Sequence, residues 1–145
     1  VVPAVNLPTS LETRHLYDEP SYLYCAAGHP LFAEHDDRLG FADIAQYAAI
    51  SPRYPLPAEA RQVHDALTLR ASASDREGAA FLILTGRFIG FLPEHVAAQW
   101  VAAGKMRALH AGTQQYRIPF VLITRHDRRP NRVVDAFLSF VRSAE

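Results

Sequence analysis

The pattern of apolar and polar positions over residues 78–104 predicts a helix, a strand and a second helix in close succession. An apolar helix end at 81–84 is closed by Gly86, a strand follows over 87–92, and Pro93 opens the next helix. Glycine suits the position just after a helix, and proline suits the first turn of one, where the missing N–H is not needed. This alternation is typical of an α/β sheet covered by helices.

The same pattern places further elements along the rest of the chain. Strands are predicted at 1–3, 16–27, 47–51, 68–72, 106–110 and 117–125, and helices at 41–46, 57–67, 75–85 and after the cap Asn131. Residues 4–15 are interpreted as a loop, and Pro20 as a strand start or crossover, because proline cannot donate to a strand ladder. Ser74 and Glu77 have the spacing of a capping box, so Ser74 is the predicted cap of the third helix.

Composition and charge limit the classes of function that this chain can have. The chain has 145 residues, of which 49% are hydrophobic, and a formal net charge of zero. These values are typical of a globular protein and provide no basic field for nucleic acid, so any DNA contact is expected outside this chain. No apolar run is long enough to span a membrane and no export leader is visible, so a cytoplasmic protein is expected. The single cysteine, Cys25, is expected to be buried and inert.

Signatures of enzymes, cofactors and metals are weak. The glycines do not form a dinucleotide or phosphate-binding loop, and the seven histidines have no metal-ligand spacing. The segment 34–37 (Glu-His-Asp-Asp) could hold a hard cation, but a solvated loop is the preferred interpretation. The basic run at 125–129 could contact phosphate, although a solvent-exposed turn is preferred. We therefore predict no catalytic residue, no cofactor and no metal.

Three strand-to-helix junctions provide the better candidate site. They are Ser51-Pro52-Arg53, Ser72-Ala73-Ser74-Asp75 and Phe91-Leu92-Pro93-Glu94. In a parallel α/β sheet such junctions share one edge, which is where ligands bind, and helix N-termini there favour anions. The candidate ligand-binding residues are Ser51, Pro52, Arg53, Ser72, Ser74 and Phe91. The alternative for Ser72 and Ser74 is that they only cap a helix.

Several motifs resemble those of LysR-type transcriptional regulators. An acidic residue within Tyr17-Asp18-Glu19, a strand through Tyr24-Cys25 and the motif His29-Pro30-Leu31 follow in the family's order. The stretch 85–93, continuing into the return at 104–109, is similar to the family's helix–strand–helix. The ending, residues 120–125 and 136–141, looks like its closing strand and helix. The order and spacing of these motifs cover nearly the whole chain.

This resemblance implies an α/β fold of the type 2 periplasmic-binding-protein kind, with two lobes and a small-molecule effector between them. Residues 19–116 would form a complete second lobe, and residues 1–18 and 117–145 a partial first lobe. The partial lobe is expected to lack its sheet neighbours and to be disordered or completed by another chain. The effector is expected to be a small anionic metabolite.

The resemblance also implies partners. DNA would be bound only through an N-terminal winged helix-turn-helix that is absent from this chain, and the regulator would form a homodimer or tetramer. The helix predicted at 57–67 is the candidate interface, and no membrane partner is expected. Two alternatives remain open: a periplasmic-type solute-binding protein, and an enzyme in which Ser72 or Ser74 bonds to His64 or His95.

Overall fold

Two long antiparallel strands, β2 (Leu11–Ala26) and β7 (Gln115–Arg125), form the centre of the molecule. Their register runs from Leu11 opposite Arg125 to Tyr22 opposite Gln115, with one irregularity near His15. The computed structural model describes residues 1–109, 115–126 and 129–143. In this part of the chain, β1 (Val2–Pro3) pairs with the outer side of β7, and β5 (Gly90–Pro93) and β6 (Met106–Ala108) pair with β2.

A parallel pair of strands extends this sheet. Strand β3 (Ala48–Pro52) pairs with β4 (Thr68–Ala73), and a parallel bridge joins Ala49 to Ile89, just before β5. Two backbone hydrogen bonds of 3.0 Å make this bridge, from Ile50 N to Ile89 O and from Ile89 N to Ala48 O. Apart from β6, which also pairs with β2, the described strands therefore follow one another in the order β4, β3, β5, β2, β7, β1.

Helices cover both faces of the sheet. They are α1 (Phe41–Ala45), α2 (Ala58–Asp65), α3 (Arg76–Leu84), α4 (Glu94–Ala102) and α5 (Arg132–Ser143). One core packs α1 and α2 against Leu23, Ala49 and Phe91, and the other packs α3 and α4 against Tyr24 and Leu92. Alternate residues of β2 and β5 thus enter opposite cores, as the two-residue period of a strand requires. No helix among the described residues is long and apolar enough to cross a membrane.

Most predicted elements are confirmed, but two predictions about β2 are wrong. Residues 11–15 lie in β2 and not in a loop, because β7 supplies a partner for their polar sequence. The strand also continues through Pro20 without interruption. Pairing with β5 begins only at Ser21, so Pro20 lies where β2 pairs with β7 alone within the described chain. A missing N–H is tolerated there, as at an edge strand. The predicted strand end at His110 and most of the connector that follows lie outside the described residues.

The caps of the helices are partly as predicted. Asn131 caps α5, since its Oδ1 accepts from the N–H groups of Val133 and Val134. The predicted cap Ser74 is wrong by one residue: the side chain of Asp75 accepts from Gly78 N at 2.7 Å and caps α3. Aspartate is at least as good an N-cap as serine. A helix capped by Ser74 and a helix capped by Asp75 would therefore both satisfy the N-cap preference.

Helix α5 leaves an apolar stripe in contact with solvent. Val133 is 79% exposed, Phe137 50% and Phe140 70%. The strands of the same region are paired, since residues 2–3 and 11–18 form ladders with β7. Among the described residues, the region predicted to be a partial first lobe therefore has paired strands and a helix with exposed apolar side chains. Its completion by another chain stays a prediction.

Candidate functional site

The parallel register brings three of the predicted site residues into one row. Ser51 of β3 lies opposite Ser72 of β4. On the other side of β3, the bridge joins Ala49 to Ile89, and counting two residues along each strand places Ser51 level with Phe91. Residues at the same level of neighbouring strands point to the same face of the sheet. Ser72 and Ser51 therefore lie side by side near the carboxyl ends of β4 and β3, and Phe91 of β5 belongs to the same face of the sheet.

The other three predicted residues continue along this edge. Pro52 ends β3, and the backbone N–H of Arg53 donates to the carbonyl of Ala73 at 2.8 Å. Ser74 lies immediately beyond β4, before the cap of α3. The side chains of Arg53, Ser72 and Ser74 are exposed to solvent, whereas Phe91 is only 3% exposed. The edge thus combines a polar rim with an aromatic floor.

A cavity of about 260 Å³ opens at this edge, between β3 and helix α2. Ser51 and Pro52 line it, together with Asn6 from the segment that follows β1. Asn6 has a φ of 53°, in the left-handed region that asparagine tolerates better than most residues. The complete lining is Asn6, Ser51, Pro52, Tyr54, Pro55, Leu56, Arg61, His64, Asp65 and Leu69. Arg53, Ser72 and Ser74 do not line it, and Phe91 lines a pocket of about 10 Å³ behind it.

Tyr54 and Tyr116 are site residues that sequence reasoning missed, and it considered His64 only as a partner of Ser72 or Ser74 in an enzyme. Tyr54 and His64 line both the cavity and the small pocket behind it. The ring of His64 packs 4.8 Å from that of Phe91, and its Nε2 lies 3.3 Å from the hydroxyl of Tyr116. These side chains come from distant parts of the chain, so no local motif could have revealed them.

His64 is a neutral group at physiological pH. It is only 4% exposed, and burial lowers its pKa to about 4, although Asp65 and the Ile50 backbone act in the opposite direction. Its Nδ1 has no hydrogen bond of normal geometry within the described residues. A neutral imidazole has one donor and one acceptor nitrogen, so this atom can serve a polar ligand group of either kind.

An ion pair fixes the back of the site. Glu19 of β2 is 4% exposed, and its carboxylate accepts hydrogen bonds from both terminal nitrogens of Arg76, the first residue of α3. His95 of α4 lies 3.7 Å from the same carboxylate. Because Arg76 is bound to Glu19, its guanidinium is not available as the main cation for a ligand.

The rim of the site carries both positive and negative charges. Asp75 occupies the N-terminus of α3 with a carboxylate, so this helix end does not supply the anion site that the junction pattern predicted. Arg53 and Arg61 are exposed cations, and Asp65 is an exposed anion. The cavity itself is lined by one cation, Arg61, and one anion, Asp65.

Known catalytic arrangements are not assembled at this edge. His64 pairs with Tyr116, His95 faces Glu19, and neither Ser72 nor Ser74 forms a side-chain hydrogen bond among the described residues. In the segment considered for a cation, Oδ1 of Asp36 lies 3.1 Å from Nη1 of Arg107 and forms an ion pair with it. No group of three metal-ligating side chains occurs in residues 1–109, 115–126 and 129–143. The arrangement is suited to holding a small polar molecule.

A cavity at the carboxyl edge of parallel strands, flanked by a long antiparallel strand pair, defines a ligand-binding domain of the type 2 periplasmic-binding-protein-like fold. The model of the LysR substrate binding domain matches residues 1–145, the whole of the chain. The chain belongs to this family. Family members are transcriptional regulators that bind DNA and small-molecule effectors and form oligomers.

A sequence relative supports this assignment. The chain is 49% identical over 141 residues to the HTH-type transcriptional activator BauR of Pseudomonas aeruginosa. The match covers 97% of this chain and 46% of BauR, so the chain spans about half the length of that relative. This relationship favours the regulator over the solute-binding protein considered above.

Solved structures have the same fold. The regulatory domain of CcmR from Synechocystis PCC6803, in complex with 2-PG, superposes with a TM-score of 0.76 at 14% identity, over 98% of this chain and 71% of that one. The regulatory domain of CrgA, a LysR-type regulator from Neisseria meningitidis, gives 0.65 at 20% identity, over 94% and 69%. At these identities the likeness concerns the fold alone. The chain corresponds to a partial regulatory domain.

Proposed function

We propose that this chain binds a small metabolite with an anionic group at the edge formed by Ser51, Pro52, Arg53, Ser72, Ser74 and Phe91. The observation that carries the proposal is the cavity of about 260 Å³, which Ser51 and Pro52 line together with Asn6. Asn6 belongs to the proposed first lobe, residues 1–18 and 117–145, whereas the other lining residues belong to the proposed second lobe, residues 19–116. The cavity is thus a small cleft between the two.

Ligand binding in such a cleft has a direct route to regulation. A ligand that contacts both lobes binds one lobe arrangement more tightly than the other, and it shifts the population by that difference in affinity. The parent regulator would contact DNA through a separate winged helix-turn-helix. The shift in the population of lobe arrangements would alter the geometry of a dimer or tetramer. Helix α2 is our candidate for the subunit interface.

A thermal-shift screen tests this function. Small carboxylates are titrated against the chain, and stabilisation is expected to grow as RT ln(1 + [L]/Kd), about 2.7 kcal/mol at a hundred times Kd. Ser51→Ala and Arg53→Ala are expected to weaken the response. Arg87→Ala, on an exposed side chain away from the cavity, is the matched control and is expected to leave it unchanged. Stabilisation that is equal in all three variants would refute the assigned edge.

A further inference from the structure

Two side chains of opposite charge lie in the cavity wall. Arg61 and Asp65 both line the cavity, and neither side chain forms a hydrogen bond or ion pair in the part of the chain that is described. They are four residues apart on α2, and so belong to the same face of the helix, with Cβ atoms about 5–6 Å apart. Among the described residues, the cavity wall therefore presents one cation and one anion that lie close together and have no side-chain hydrogen bond.

Their positions on the helix are not explained by helix stability. Asp65 is the last residue of α2, where the negative end of the helix dipole disfavours a carboxylate. An arginine four residues before an acidic residue is also the less favourable order for an ion pair within a helix. Both placements are costly for an isolated helix, and an external partner of matching charge would offset that cost.

A buried polar atom adds an independent sign of a ligand. His64 lies between Arg61 and Asp65 in sequence, lines the same cavity and is only 4% exposed. Its Nδ1 forms no hydrogen bond of normal geometry within the described chain, and a buried polar atom left unsatisfied costs free energy. Ser51, which carries a hydroxyl, also lines the cavity.

We propose that the ligand of this cavity is a small amino acid in its zwitterionic form, with its carboxylate on Arg61 and its ammonium group on Asp65. The inference rests on the proposed function and specifies its ligand class. A volume of about 260 Å³ lies below the range of about 300–1,000 Å³ that is typical of drug-sized ligands, and it suits a molecule of a few heavy atoms. One cation and one anion in the wall select against molecules that carry only one charge.

Matched probes separate the zwitterion from its single charges. 4-Aminobutyrate and L-2-aminobutyrate contain the same atoms with different charge spacing, while butyrate lacks the ammonium group and n-butylamine lacks the carboxylate. Each is titrated against the chain by isothermal calorimetry at pH 7. At least one amino acid is expected to bind ten times more tightly than both single-charge probes. Equal or tighter binding of butyrate or n-butylamine, or no binding by any probe, would overturn the inference.

Variants assign the two charges. Arg61→Gln and Asp65→Asn are each expected to reduce the tenfold preference to less than threefold. The controls Arg70→Gln and Asp37→Asn change exposed residues that do not line the cavity and should retain the preference. Circular dichroism checks that all four variants are folded. A preference that survives both cavity variants would overturn the inference.

The failure of this inference differs from the failure of the proposed function. If carboxylates stabilise the chain and Ser51→Ala weakens them, while Arg61→Gln and Asp65→Asn change nothing, the binding edge stands and the zwitterion is rejected. If Ser51→Ala and Arg53→Ala leave every ligand response unchanged, the binding edge itself is rejected.

Discussion

Glu19 and Arg76 are 57 residues apart in sequence, and Arg76 donates hydrogen bonds to both oxygens of the Glu19 carboxylate. The pair joins the central strand β2 to the first turn of α3, directly behind the rim that carries Ser74. A buried carboxylate is stable only while its partner is present, so this contact fixes where α3 begins.

Removal of Arg76 should therefore be more costly than removal of the Glu19 charge. Arg76→Met leaves the buried carboxylate with only the more distant His95 and is expected to lower the free energy of unfolding by about 3 kcal/mol. Glu19→Gln keeps one hydrogen-bond acceptor and is expected to cost about 1 kcal/mol. Urea denaturation of both single variants and the double variant should give a coupling energy above about 1 kcal/mol. The exposed pair His15–Asp18 is the control, and Asp18→Asn should change stability by less than about 0.5 kcal/mol. Additive effects at Glu19 and Arg76 would contradict the buried pair.

Stability should fall in mild acid because of His64. Burial lowers its pKa in the folded state to about 4, below its ordinary value of 6.5. Between these values the unfolded chain binds a proton that the folded chain does not, so the free energy of unfolding decreases as the pH falls from 6.5 to 4. The loss is on the order of 3 kcal/mol. His29, whose pKa burial also lowers, contributes with the same sign.

The measurement is chemical denaturation at a series of pH values. His64→Gln is expected to flatten the dependence in this window, whatever its effect on stability at pH 7. His35→Gln changes an exposed histidine outside this site and should leave the slope as it is. A slope that is unaltered in His64→Gln would show that other groups produce it.

Cys25 should be inert in the folded protein. Its side chain is fully buried, and burial raises the pKa of the thiol to about 11, against the weaker opposite effect of Arg107. The thiolate is the reactive form, so modification requires local or global opening. A thiol-reactive dye should label the native chain more slowly than the urea-unfolded chain, by on the order of a hundredfold or more. Labelling at similar rates in both states would mean that the thiol is accessible.

The apolar stripe of α5 should dominate the binding of hydrophobic dyes. Phe137 and Phe140 are 50% and 70% exposed, so replacing both with serine removes little core packing. The double variant is expected to bind much less of the dye ANS while its free energy of unfolding changes by less than about 1 kcal/mol. Phe81→Ser, at a 66% exposed phenylalanine of α3, is the matched control and should retain the dye signal. A large loss of stability in the double variant would show that the stripe is packed in solution.

The elements with strong local patterns were predictable from sequence. The helix–strand–helix at 78–104 appears as α3, β5 and α4, with bounds within a few residues of those predicted. Glycine and proline at its boundaries determine these ends through the backbone alone. The predicted row of strand ends also follows from local order, because helices that connect neighbouring parallel strands leave their carboxyl ends at one edge.

Features determined by distant partners were not predictable. Residues 11–15 are polar and form a strand only because β7 pairs with them. Asp75 and not Ser74 caps α3. Ser74 would be an equally suitable cap by local sequence, but the contact between Arg76 and Glu19 favours the helix that begins after Asp75. His64 and Tyr116 are 52 residues apart, and each alone has the character of an ordinary core residue. A single sequence contains no signal that joins such pairs.

Among the described residues, a single bridge at Ala49 and Ile89, with two hydrogen bonds, joins the pair β3–β4 to the rest of the sheet. By contrast, β2 and β7 are paired over eleven positions. The β3 wall of the cavity is therefore joined to the central sheet by few backbone hydrogen bonds. Tilting β3 and β4 together would strain few backbone contacts. A ligand in the cavity would therefore displace β3 and β4 more easily than the central pair β2 and β7.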